Sequence, residues 1–240
     1  MDTMCYLKET QMLDYSSIPI QSLIVDRGWE SLDEFNRIKA IYDFVRDEIL
    51  FGYNVSDEIP ASRVLADGYG QCNTKGTLFM ALLRAVGIPC RIHGFTIDKK
   101  LQKGAMTGVV YRSAPKNIFH SWVEISFEGQ WYELEAFILD KDYLHSLQMN
   151  HQDCTGAFCG YGVAVRDFRH PVIDWNRNNT YIQSEGINQD FGVYDSPDTL
   201  LTEHGQQMSI FREFLYRHLG RHLMNRNVKR IREGQGKTNT

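Results

Sequence analysis

The most constraining stretch of the chain is a punctuated apolar segment headed by a cysteine. Asp67-Gly68-Tyr69-Gly70 is a turn signal, and from about Cys72 the pattern turns helical: Leu78, Leu82, Leu83 and Val86 share one face, Gly87 stands where a helix stops, and Pro89 follows. A helix of this kind needs a partner layer to cover it. The next segments supply strands: 90–97 alternates, 107–111 is expected to pair with it, and 121–127 places Trp122, Glu124 and Ser126 on one side and Val123, Ile125 and Phe127 on the other. Glu128-Gly129-Gln130 is a hairpin turn, and 131–137 is the return strand of an antiparallel pair.

Cys72 at the head of a helix has a chemical consequence. The free N–H groups and positive potential of a helix N-terminus stabilise a thiolate and can also stabilise an oxyanion. Cysteine is more commonly a small buried hydrophobe, but the polar residues after it, Asn73, Thr74 and Lys75, predict a partly exposed helix start. His120 opens the strand 121–127, where a rigid strand end can aim an imidazole at a sulfur. A third group should fix its tautomer. With a turn centred on Gly129, position 120 lies opposite 137 or 138, and Glu135 becomes its diagonal neighbour; Glu133, of the same parity, reads as solvated.

These residues resemble the transglutaminase-like superfamily. Residues 70–91, GQCNTKGTLFMALLRAVGIPCR, are similar to its nucleophile helix; His120-Ser121-Trp122-Val123-Glu124 to its histidine strand; Trp131-Tyr132-Glu133-Leu134-Glu135 to the strand of its third residue; and 41–49 with 61–70 to the lead-in. The resemblance spans about 33–140. It implies a papain-like α+β core, with the nucleophile helix packed on an antiparallel sheet, and assigns Cys72 as nucleophile, His120 as base and Glu135 as the third member. The family usually has Asp at that last position, so strand position must absorb an extra methylene; Asp140 is the fallback. Gln71 and Tyr69 are candidate oxyanion or cleft groups beside the Cys72 N–H, and Trp122 a candidate cleft wall with core as its commoner role.

The implied chemistry is acyl transfer at an amide through a thioester, with hydrolysis ahead of transfer to an amine, and a non-catalytic scaffold as the other reading. The substrate class is a protein, a peptide or an amide-containing small molecule. A net charge of −4 on 240 residues gives no sign of nucleic-acid binding by the whole surface. Residues 206–240 hold eight Lys/Arg against two Asp/Glu, so this tail carries +6 and leaves −10 on the rest. Five cysteines, an odd and low count, exclude a disulfide scaffold. Residues 1–15 lack a signal-peptide pattern, and no run reaches the ~18 apolar residues of a spanning helix, which reads as a cytoplasmic protein. No cofactor or metal is implied: the Cys154-x4-Cys159 spacing with His145, His151 and His170 is loose for zinc, and no phosphate loop or EF-hand occurs.

Elsewhere, 31–50 reads as a helix capped by Ser31 with Glu34 in capping-box spacing, and Cys90 as core. The catalytic core with its preceding helices is expected over 1–140. A loop-rich extension over 141–240, packed on the same domain, should end in a helix over 206–232 with Ile210, Phe211, Phe214, Leu215, Leu219 and Leu223 as its apolar stripe. The tail 234–240 is expected to be disordered.

Overall fold

The computed structural model describes residues 4–205 and 210–235. Nine helices occur among the described residues: α1 (Ile18–Arg27), α2 (Glu34–Asp47), α3 (Ala61–Asp67), α4 (Cys72–Ala85), α5 (Gly108–Ser113), α6 (Lys141–Asn150), α7 (Pro197–His204), α8 (Ile210–Leu215) and α9 (Arg221–Arg232). The strands are β1 (Leu50–Phe51), β2 (Tyr69–Gly70), β3 (Cys90–Asp98), β4 (Asn117–Phe127), β5 (Gln130–Leu134), β6 (Phe158–Gly160), β7 (Val163–Val165) and β8 (Ile187–Tyr194).

Helix α4 is buried on every side from Asn73 to Arg84. It therefore runs through the middle of the molecule, with α2 and α3 on one side and β4 on the other. Its start is fixed locally: Gln71 is extended, and the Thr74 hydroxyl accepts the Gln71 N–H at 3.1 Å. Its end is fixed by Gly87 at φ 82°, a left-handed turn that glycine enters without steric cost. The expected partial exposure of the helix start holds for Gln71 and Cys72 but not for the polar residues that follow, since Asn73, Thr74 and Lys75 are all buried. Each has internal partners that replace water, which is what burial of a polar group demands.

The main sheet is antiparallel in the order β5-β4-β3-β8. The β4–β5 hairpin turns at Glu128 (φ 50°) and Gly129 (φ 78°), the paired positive φ of a tight hairpin. Its register sets Val123 opposite Leu134. On the other side of β4, His120 faces Phe95 of β3.

Several expectations are corrected. Residues 108–113 form α5 rather than a strand, and β3 takes β4 and β8 as its neighbours instead. The helix expected from Ser31 starts at Glu34, because Asp33, not Ser31, accepts the Asn36 N–H as cap; the Ser31 hydroxyl donates to the Gly28 carbonyl. The return strand stops at Leu134, and 136–138 is a 3-10 turn. The extension 141–197 contains α6 and supplies β8 to the main sheet. The C-terminal helix is interrupted by a π-helical turn, Tyr216–Gly220. Its buried residues are Met224, Val228 and Ile231, while Phe214, Leu215, Leu219 and Leu223 of the expected stripe stay exposed. Residues 206–209 and the tail 236–240 lie outside the described residues, as do the side chains of Ile210 and Phe211. Among the described residues, no helix is long and apolar enough to cross a membrane.

Candidate active site

Cys72 is the first residue of α4 and is partly exposed. His120 lies on β4 with no solvent exposure. Its Nε2 is 2.8 Å from Glu135 Oε1. Its Nδ1 is buried and makes no hydrogen bond of good geometry among the described residues. The Cys72 sulfur is the ring's other polar neighbour. Burial alone would lower the His120 pKa, but the Cys72 sulfur and then Glu135 outweigh it and carry the imidazole up to about 10. Phe95 closes the remaining side, edge-on at 4.8 Å between ring centroids.

Glu135 reaches His120 from just beyond the end of β5. There the chain leaves the sheet and is picked up by a segment of the extension: the Glu135 N–H donates to Thr180 O, and the Thr180 N–H to Glu133 O, both at 2.9 Å. The N–H groups of Ile182 and Gln183 then donate to Glu135 Oε2, each at 2.8 Å. The carboxylate is thus fully buried with both oxygens occupied, and the longer side chain is accommodated because Glu135 starts outside the ladder. Asp140 does not serve as fallback. It caps α6 by accepting the Tyr143 N–H, and both its oxygens meet Arg232.

The other expected residues fall differently. The Gln71 amide is spoken for on both ends: Oε1 accepts the Asn54 N–H at 2.9 Å, and Nε2 donates to Asp57 Oδ1 at 2.7 Å. Tyr69 lies on β2, where its ring would sit 3.0 Å from a Cβ added at Gly52 and its carbonyl accepts from Asn54 Nδ2. Trp122 is buried in a small cluster with Phe95, Ile97, Leu101 and Ala164. Glu133 is engaged by the Tyr181 hydroxyl. Cys90 is fully buried, and burial pushes its thiol up to about 11.

Residues that sequence reasoning passed over frame the nucleophile. Asp57 accepts from Asn73 Nδ2 at 3.0 Å as well as from Gln71, so one carboxylate holds the side chains on both sides of Cys72. Asn73 Oδ1 accepts from the Ser121 hydroxyl at 2.8 Å. One hydrogen bond therefore joins the residue after the cysteine to the residue after the histidine. The only available signal was an Asn and an Asp inside the polar stretch 53–60, which no periodicity marks. Among the described residues, no group of three or more His, Cys, Asp or Glu is arranged to hold a metal.

No curated protein matches the chain. Among solved structures it is similar to a candidate cysteine protease from Cytophaga hutchinsonii, with 14% identity and a TM-score of 0.48, over 82% of this chain and 48% of that one. It is also similar to a transglutaminase from red sea bream, with 21% identity and a TM-score of 0.30, over 56% of this chain and 26% of that one. The chain thus spans about half the length of the first structure and a quarter of the second. The family model that matches is that of the transglutaminase-like superfamily, over residues 26–136, a segment that holds Cys72, His120 and Glu135. The matched segment, 111 of 240 residues, is just under half of this chain.

Proposed function

We propose that the protein is a thiol-dependent acyl-transfer enzyme that hydrolyses an amide bond, with Cys72 as nucleophile, His120 as general base and acid, and Glu135 as the group that orients the imidazole. The observation that supports this most is the His120 ring, whose Nε2 is held by a buried carboxylate and whose Nδ1 is left for the cysteine.

Glu135 is acceptor-only, so it selects the tautomer with the proton on Nε2 and keeps the Nδ1 lone pair free. Nδ1 takes the Cys72 proton ahead of the attack, as the raised His120 pKa favours, and the sulfur then attacks the carbonyl carbon. The imidazolium that results is balanced by Glu135. The Cys72 N–H, at the free end of α4, donates to the oxyanion. Collapse of the tetrahedral species breaks the C–N bond, and Nδ1–H protonates the departing amine. The acyl group stays on sulfur as a thioester. Water then attacks with Nδ1 as base, which releases the acid and the thiol. The substrate is a protein, a peptide or a small amide, and no cofactor is needed for these steps.

The test is the pH dependence of Cys72 alkylation in the native protein, read peptide by peptide because the chain has four other cysteines. Fast labelling well below the ordinary thiol pKa of about 8.5, slowed in His120→Ala, is the expected result. Labelling that follows an ordinary thiol, unaffected by His120→Ala, would refute the enzyme reading and favour a scaffold.

A further inference from the structure

The half-buried Asp57 carboxylate is built into the site more firmly than the nucleophile requires. Its two oxygens accept from Gln71 Nε2 and Asn73 Nδ2, and the other end of each amide is also fixed: Gln71 Oε1 by the Asn54 N–H, Asn73 Oδ1 by the Ser121 hydroxyl. Neither amide can turn over without losing two bonds, so the carboxylate is preorganised. These donors are neutral. Among the described residues, Asp57 has no ion pair with Lys or Arg, unlike the buried Asp140, which meets Arg232. Burial pushes its carboxyl up, the two amides and the His120 charge pull it back, and Glu58 adds to the negative potential. A half-buried carboxylate held by neutral donors and given no cation is one that an incoming cation stabilises. Its bonds to the side chains on either side of Cys72 set it at the head of α4, where the nucleophile stands.

We infer that Asp57 is a specificity-determining residue that recognises an ammonium group on a substrate of the Cys72 site. The inference rests on the thiol-enzyme reading. The ammonium belongs either to the acyl donor, as an amino group near the bond attacked, or to a diamine acceptor, whose other, uncharged amino group attacks the thioester and gives up a proton to Nδ1. The shared chemistry is a primary ammonium set against a fixed carboxylate.

The first experiment needs no substrate. Rates of Cys72 modification are measured with aminoethyl, methyl and sulfonatoethyl methanethiosulfonates, each divided by its rate with β-mercaptoethanol. The His120 imidazolium alone would favour the anionic reagent. Asp57 should reverse this, with the cationic reagent ahead of the anionic one by roughly tenfold at low salt, as for unit charges a few ångströms apart under partial screening. Asp57→Asn should abolish the preference, and Glu58→Gln should largely preserve it. No preference in the unmodified protein, where folding of a variant is not in question, overturns the assignment; so does a preference that survives in Asp57→Asn. If Cys72 reacts no faster than a free thiol with all three reagents, the thiol-enzyme reading itself fails, and this inference with it.

The second experiment separates the two sources. The acyl-donor source predicts that the unmodified protein turns over glycine p-nitrophenyl ester faster than p-nitrophenyl acetate, and that Asp57→Asn loses the difference. The acceptor source predicts that cadaverine accelerates release of the acetyl-enzyme, and that Asp57→Asn loses the acceleration. If neither effect exists in the unmodified protein, Asp57 does not recognise ammonium.

Discussion

Glu135 and His120 meet at 2.8 Å with both side chains out of contact with solvent, and the second oxygen of Glu135 is tied to the backbone of Ile182 and Gln183. The carboxylate therefore has a charge role and a structural role that substitutions can separate. Glu135→Gln keeps one oxygen for the two N–H groups but presents an amide NH₂ to Nε2. The ring must then carry its proton on Nδ1, the wrong tautomer for accepting the Cys72 proton. The fold should persist while Cys72 labelling near neutral pH falls about 10²- to 10⁴-fold. Glu135→Ala instead leaves two N–H groups and an imidazolium unpaired in the interior and should lose about 3–5 kcal/mol of stability. Chemical denaturation alongside labelling distinguishes the two outcomes.

Lys75 gives a pH effect of the opposite sign to that of the histidine. It is fully buried one turn along α4, donating to the carbonyls of Arg46 and Ile138, each at 3.1 Å. Burial lowers its pKa to about 7, with Asp140 and Asp47 resisting. Between about 7 and the unfolded value of about 10.4, the unfolded chain binds the extra proton, so this group makes stability rise with pH. The His120 pKa is raised instead, so its contribution is present below about 6.5 and is lost as pH passes through about 10. Removing this group in Lys75→Met should leave the His120 loss unopposed, so stability between pH 7 and 10 should fall by a few kcal/mol relative to the unmodified protein, measured by urea unfolding at several pH values.

How far the sequence could be read follows from where each signal comes from. The stripe of α4, the turn at Glu128-Gly129 and the alternation in 121–127 are local patterns, and the structure has the corresponding elements at those places. Position 120 falls in the expected register, since pairing Val123 with Leu134 carries it toward 137. Glu135 was reached through strand parity, but what holds it is a segment 45 residues later in the chain, whose backbone N–H groups carry no sequence signature. The same is true of Asp57: its partners are set by how the 53–60 stretch crosses the head of α4, a tertiary fact. The misreading of 107–111 was an ambiguity of a short apolar run, which suits a strand and a single helical turn equally. The exposed residues of the C-terminal stripe show that helical periodicity gives a face but not what covers it.

His93 should act as a pH-sensitive fastener for the sheet edge. Its Nδ1 lies 3.0 Å from Glu124 of β4, and its Nε2 lies 2.7 Å from Asp190 of β8. Burial lowers its pKa, but Glu124 and Asp190 more than compensate and the net direction is up. A raised histidine contributes stability that is complete below about 6.5 and fades as pH rises through the folded value. Amide hydrogen exchange in β8, corrected for intrinsic rates, should therefore accelerate at alkaline pH. His93→Gln should bring exchange at pH 6 to the same level. Exchange that is insensitive to both changes would show that β8 is held by its backbone ladder alone.

Arg232 tests whether Asp140 has any part in the chemistry. Its guanidinium lies 2.8 and 2.6 Å from the two Asp140 oxygens and also donates to Phe51 O at 2.9 Å, which locks α9 onto α6 and β1. Burial raises the Asp140 pKa, but Arg232 outweighs it and holds the carboxyl below its ordinary range. That stability is present above a pH of about 3.9 and is lost as pH falls through the depressed folded value. Arg232→Leu leaves a carboxylate with 1% exposure and no ion-pair partner in contact with it, so a loss of about 3–5 kcal/mol is expected. For a chain of this size that lowers the melting temperature by on the order of ten degrees. Because Asp140 is bonded to Arg232, Phe51 and Tyr143 rather than to His120, the pH profile of Cys72 labelling well below the new melting temperature should not move. A profile that shifts as it does in Glu135→Gln would place Asp140, and not Glu135 alone, in electrostatic control of the imidazole.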